Sequence, residues 1–322
     1  MNNFMQFGLL EFLSRELWMT KSNNVFIGLD YKPPGYWTAL AAYCRAKKIK
    51  FEELDFADAK IKGYASAIAL EHALNGTDGY NFERKKLSVI YSPLVLIDCA
   101  DNTDKATSTI NRCIRAQFDD PNLSDFVREL CDVVGDLHDN VWSHGKSTGF
   151  SMAQKWEGFS AKTSYFEFAL ADCGYGFLSE LQRVGIPQTQ DDEAAIKWCI
   201  EKGNSSKKKN QDEWLQRLPQ DITNNPMPGF GQAVMSENNH QGLGLAKLIE
   251  LIDCYRGQLW LASGEKTLVI NNNGNRSFRK NVQKWQGVAL ACRFDTEQVK
   301  NYKMPNEDEV IASLLNLLGT QS

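Results

Sequence analysis

The chain has 322 residues, of which 43% are hydrophobic and 11% aromatic, enough apolar material for one large core or two ordinary ones, so global disorder is excluded. A formal net charge of −4 and a pI of about 5.7 leave no electrostatic footprint for nucleic acid, and the basic run Lys207, Lys208, Lys209 sits among acidic residues as a solvated loop would. The 8 cysteines are scattered without metal-ligand spacing, there is no secretory signal, and no apolar run reaches spanning length, which together describe a cytoplasmic protein with no membrane span.

Residues 1–18 carry Phe4, Phe7, Leu9, Leu10, Phe12, Leu13, Leu17 and Trp18, with Glu11, Arg15 and Glu16 between them, an amphipathic pattern. The polar side holds two acids and one base, which suits docking on the chain's own domain or on a second copy better than it suits a membrane; a homodimer through the N-terminal region is the sharper form of that expectation. Residues 24–120 read as a small α/β module. A buried strand is expected over 25–29, a turn at Pro33 and Pro34, a helix over 37–48, and a second helix over 65–74 that stops at Asn75 and Gly76. A β-rich run over 87–99 is interrupted by Pro93, predicting either two strands or one kinked edge strand, and a helix over 104–116 follows. This module has no phosphate-binding glycine loop and no paired catalytic groups, so its expected role is recognition or assembly.

The turn-rich stretch at 119–123 is the predicted domain boundary. Beyond it the pattern is a helix over 123–145, a strand over 163–172, a long polar segment over 177–241, a helix over 243–254, and strands over 258–263, 266–271 and 287–294. That succession fits a two-layer α/β sandwich over 121–300, with 301–322 as a terminal helix or tail.

Three motifs carry chemistry. On the first helix Phe126, Leu130, Val133, Val134, Leu137 and Val141 form the buried stripe, while Asp132, Asp136, Asn140 and His144 recur every four residues along another side. Like charges stacked that way do not help an isolated helix. A carboxylate with an amide oxygen can hold hydrated Mg²⁺ and orient a water. The strand with Phe166, Phe168 and Leu170 ends in Asp172, an acceptor for an exocyclic amine, and is followed by Gly174 and Gly176, which let a flat ring approach the backbone. Finally Gly242, Leu243, Gly244 and Leu245 open a well-patterned helix whose free N–H groups suit a triphosphate.

In combination, over residues 120–295, these motifs resemble the GHKL ATPase superfamily, whose members share the Bergerat nucleotide-binding fold, a two-layer α/β sandwich with a mixed sheet. The similarity extends to the hairpin-like stretch 256–264 and to the strand that follows Gly287. A bacterial, histidine-kinase-like subset is closest in pattern, through Asp139, Asn140, Val141 and His144, then Met152 and Gln154, then the segment 201–207. The resemblance implies that ATP and Mg²⁺ are the cofactors. Asp136 would then prepare the attacking water, and Asn140 would bind the metal. Asp172 would read the adenine amine, with Gly174 and Gly176 shaping its pocket. Gly242, Leu243, Gly244 and Leu245 would lie by the phosphates, and residues 177–241 would form a lid from which Lys207 or a neighbouring lysine reaches the terminal phosphate. The usual acid in that family is glutamate. Asp136 is one methylene shorter, which predicts slow hydrolysis with binding retained, since a well-placed general base contributes about 10²–10⁴-fold.

The expected function is an ATP-driven switch acting on a partner protein. The alternatives are a protein kinase of the serine/threonine or histidine type acting on a partner, and a nucleotide sensor without turnover. His72 is the one histidine before residue 120 and lacks the flanking pattern of a phosphorylated histidine.

Overall fold

The computed structural model describes residues 8–14, 24–143, 147–158, 163–186, 190–204 and 244–302, the side chains of 142 and 143 excepted. In chain order the elements are α1 (Gly8–Ser14), β1 (Val25–Ile27), α2 (Pro34–Lys47), β2 (Leu54–Phe56), α3 (Ala59–Ala67), α4 (Leu70–Asn75), β3 (Val95–Ile97), α5 (Ala100–Gln117), α6 (Ser124–Ser143), β4 (Gly149–Glu157), β5 (Ser164–Asp172), α7 (Gly176–Arg183), α8 (Asp192–Ile200), α9 (Gly244–Cys254), β6 (Gln258–Ile270), β7 (Arg276–Asp295) and α10 (Thr296–Lys300). Their ends follow local chemistry. Pro33 and Pro34 start α2, Asp58 caps α3 by accepting from the Ile61 N–H at 2.8 Å, and Gly76 ends α4 in the left-handed region at φ 77°.

Two sheets form. The smaller is the parallel pair β1–β2, and the larger has five strands in the order β3-β4-β5-β7-β6. Every neighbouring pair in the larger sheet is antiparallel, so the mixed sheet implied by the resemblance is corrected: the parallel pairing lies in the N-terminal module. Two strand expectations also change. The strand β4 had been missed, and the expected break between 263 and 266 is a bulge inside one continuous β6, with register shifts at Ser263, Gly264 and Lys266. Of the expected β-rich run 87–99, only Val95–Ile97 forms a strand, and Tyr91 makes an isolated bridge. Tyr91 bridges to Gln154 and β3 pairs with residues 149–151, on either side of Pro93, which has no N–H to give the ladder.

Both faces of the large sheet are buried: α5 and the helices within 121–300 cover one, and α1 and α2 of the preceding module add a third layer on the other. On one face Phe166, Phe168, Leu170, Leu261, Leu290 and Phe294 pack beneath α5, α6 and α9. The six residues predicted as the buried stripe of α6 all lie in this cluster. On the other face Ala169, Ala171, Ala262, Ala289 and Ala291 form a row of small side chains against which α1 and α2 lie. The approach is close enough that a Cβ on Gly35 would stand 2.9 Å from the Ala291 Cβ. A buried ion pair fixes that helix in place: Glu167 of β5 accepts from the Gly35 N–H at 2.9 Å through Oε1, while Arg293 of β7 donates to its Oε2 through Nε at 2.9 Å and Nη2 at 2.8 Å. Trp156 and Trp260 flank the guanidinium on its faces, with ring centroids 5.0 and 4.9 Å away.

The break at 119–123 therefore joins two helices of one core and does not separate two cores. Phe118 and Phe126, on either side of it, stack edge-on at 4.9 Å, and β3 and α5 belong to the same sheet and layer as the elements that follow. Among its described residues, α1 turns Leu9, Leu10, Phe12 and Leu13 inward against α2 and β7, so this apolar face is used within the chain. No described helix is long and apolar enough to cross a membrane.

Candidate functional site

The alternation of β5 places Asp172 on the same side as Phe168 and Leu170, beneath the helical layer, at the point where the strand ends. Its carboxylate is only 5% exposed. Oδ1 accepts from the Gly174 N–H at 2.7 Å and Oδ2 from the Val288 N–H at 3.2 Å. Burial pushes the carboxyl up to about 7, with the two backbone N–H groups pulling it back down. Gly174 thus serves by holding Asp172; it is not among the described residues lining the cleft next to it.

That cleft is open to solvent. Leu137, Asn140 and Val141 of α6 form one wall, Leu170, Val288 and Leu290 the floor, and Leu245 of α9 the far side. Phe177, Glu180 and Leu181 of α7 and Trp198 of α8 close the remaining side. The surfaces are mainly apolar, with Asn140, Asp172, Glu180 and Asn204 as the polar groups. Of the residues expected at the site, Asn140, Asp172, Gly176 and Leu245 meet here. Gly242, Leu243 and Lys207 lie outside the described residues, as does the side chain of His144.

Asp136 stands one turn before Asn140 but is not among the described lining residues. It lies against the first turn of α9: a Cβ on Gly244 would come within 2.7 Å of the Asp136 Cβ, and Oδ2 is 3.8 Å from the Lys247 Nζ. Gly244 is therefore a packing requirement where α9 meets α6. The expected lid is also revised at its start. Residues 176–200 supply two ordered helices, and Ala195 and Ile196 of α8 are fully buried, Ile196 in the main core.

Several residues of the site escaped sequence reasoning. Gly287 has φ +97°, and a Cβ there would stand 2.4 Å from the Asp172 carbonyl oxygen and 2.7 Å from the Gly174 N. Ser263, 1% exposed in the β6 bulge, accepts from the Phe177 N–H at 3.0 Å and donates to the Gly287 carbonyl at 3.1 Å, fixing the first turn of α7. Gly176 enters that turn at φ +73°. Glu180 adds a second acid, paired with Arg183 at 2.8 Å. The glycine at 287 was visible as a strand start; its contact with Asp172 was not, because β5 and β7 meet only through the fold. His138, between two cleft residues in sequence, faces away. Its Nδ1 meets the Thr107 Oγ1 at 2.8 Å and its Nε2 the Ser151 Oγ at 2.9 Å, and burial lowers its pKa to about 3, which keeps the ring neutral.

No protein-family model matches the chain, and comparison with curated proteins and with solved structures returned no match. The site must be judged on its own chemistry. Among the described residues no group of three or more His, Cys, Asp or Glu could hold a metal ion. The described residues alone do not make a magnesium site; Asn140 would offer such an ion one oxygen, and a ligand and waters would have to supply the rest.

Proposed function

We propose that the cleft binds an adenine nucleotide with Mg²⁺ and that occupancy switches contact with a partner protein. The observation that carries this reading is the convergence of Asn140, the buried Asp172 and the first turn of α9 on one cleft, although they come from three elements far apart in sequence. In this reading Asp172 accepts from the exocyclic amine of the base, and Gly176, Leu170 and Val288 lie against the ring. The N–H groups opening α9 face the phosphates, and Asn140 orients the metal, which neutralises phosphate charge when bound. Where turnover occurs, Asp136 takes the proton of a water as its oxygen bonds to the terminal phosphorus and the bond to the bridging oxygen breaks. The lid and the homodimer remain part of the proposal only as the routes by which occupancy reaches a partner.

A nucleotide sensor without turnover is the second reading, favoured by the place of Asp136: it is the shorter acid, packs against Gly244 and lies beside Lys247. Calorimetric titration with ATP, ADP and GTP, with and without Mg²⁺, tests the shared core of both readings. Adenine-specific binding that loses its magnesium dependence in Asn140→Ala is expected; equal binding of ATP by the parent, Asp172→Asn and Gly244→Ala would sink the assignment. γ-labelled ATP then separates the outcomes: free phosphate marks an ATPase, label on a partner a kinase, neither a sensor.

A further inference from the structure

Resting on the nucleotide reading, we propose that Lys247 is the lysine that contacts the terminal phosphate, exchanging its Asp136 partner for that phosphate when nucleotide binds. Lys247 lies in the first turn of α9, where a cation opposes the helix dipole and where α9 has no acidic residue to offset it. A positive side chain in that place calls for an anion from elsewhere. Asp136 supplies an anion, but the Nζ–Oδ2 separation of 3.8 Å is beyond hydrogen-bonding length.

The described lysines on α8, just after it and on β6 are more tightly engaged. On α8, Lys197 pairs with Glu193 at 2.9 Å, Lys202 just after it reaches Glu250 at 2.9 Å, and Lys266 of β6 meets Glu193 at 3.2 Å. The two members of the Lys247–Asp136 pair also differ in freedom. The lysine side chain is 46% exposed and the aspartate 7%, so the ammonium can swing while the carboxylate stays in place. Asp136 has further contacts of its own, so the exchange does not strand it. Position completes the argument. Gly244, at the start of the same turn, touches Asp136, and the next residue, Leu245, lines the cleft opposite Asn140. Phosphates extending from a base at Asp172 past Asn140 end beside this turn.

The competing role for Lys247 is a strut between α6 and α9, because it lines an outer groove with Glu129, Asp132 and Glu250 and is not among the described residues lining the cleft, which its ammonium must swing to reach. Affinities for ATP, ADP and adenosine, each with Mg²⁺, distinguish the two. A charge-assisted contact to one phosphate predicts that Lys247→Ala weakens ATP about 10- to 100-fold, leaves ADP and adenosine within about twofold of the parent, and that Lys247→Arg restores most of the ATP affinity. Lys247→Gln serves in place of the alanine variant if that one unfolds. Equal weakening of all three ligands, or no change in any, overturns the role of Lys247 while the nucleotide reading stands. A parent protein that binds none of the three overturns both.

Discussion

Gly287→Ala tests the architecture of the site independently of any ligand. Gly287, Gly185 and Gly274 all hold positive φ, at 97°, 77° and 76°, so alanine at each adds a comparable left-handed strain of about 1–2 kcal/mol. Their surroundings differ. A Cβ at Gly185 or Gly274 meets nothing within 4 Å, whereas at Gly287 it meets the Asp172 carbonyl at 2.4 Å, the Asp172 Oδ1 at 2.6 Å and the Gly174 N at 2.7 Å. Two of those neighbours are backbone atoms, so relief requires β7 to move away from the end of β5 by about 1 Å to reach ordinary contact distance. That movement lengthens the 3.2 Å bond from the Val288 N–H to Asp172, and a buried carboxylate short of a donor costs about 1–3 kcal/mol more. The expected loss is about 2–5 kcal/mol for Gly287→Ala against about 1–2 for either control. Urea unfolding with an unchanged m-value measures it. A Gly287 variant within about 0.5 kcal/mol of the Gly185 variant would refute the packing argument.

Asp172 and His138 give opposite pH signatures, each read as the stability gap between the parent and a single variant. The Asp172 carboxyl is raised from 3.8 to about 7, so its contribution is full below pH 3.8 and is lost as pH rises toward 7; the gap between the parent and Asp172→Asn should fall by about 1.4 kcal/mol per pH unit in that window, and a flat gap contradicts the burial. His138 is lowered from 6.5 to about 3, so its contribution is full above pH 6.5 and is lost on acidification; the gap between the parent and His138→Gln should narrow by about 3 kcal/mol between pH 7 and pH 4, and constancy would show the imidazole to be solvated. Glu167→Gln leaves the Arg293 guanidinium buried without its counter-ion and should cost about 3–5 kcal/mol, with faster proteolytic release of the α1–α2 region; an unchanged midpoint and digestion pattern would mean the pair does not hold α2 to the sheet.

Much of the helical layer was legible from the sequence because its signal is local. The stripe from Phe126 to Val141 recurs at helical spacing, the stop at Asn75 and Gly76 is backbone chemistry, and the alternation of Phe166, Phe168 and Leu170 marks a strand with one bulky face. The meeting of Asn140, Asp172 and Leu245 in one cleft was an expectation of the family resemblance and not of any local signal. The second buried face went unread because it is made of alanines. Ala169, Ala171, Ala289 and Ala291 look like the neutral side of a strand, and only the arrival of α2 makes them a core. For the same reason residues 119–123 resembled a domain boundary, although the cores they appeared to divide share one sheet.

What sequence alone determined here is whatever depends on neighbours within one helical turn or one strand: element type, caps, and the side of each element that carries Asp136, Asn140 and Asp172. Tertiary structure alone decided the third layer, the antiparallel order of the sheet, the contact of Gly287 with Asp172 and the meeting of Lys247 with Asp136. The physical reason is range. Periodicity and capping act over a few residues, whereas close approach between β5 and β7, or between α6 and α9, exists only after chain segments about 110 residues apart have packed together.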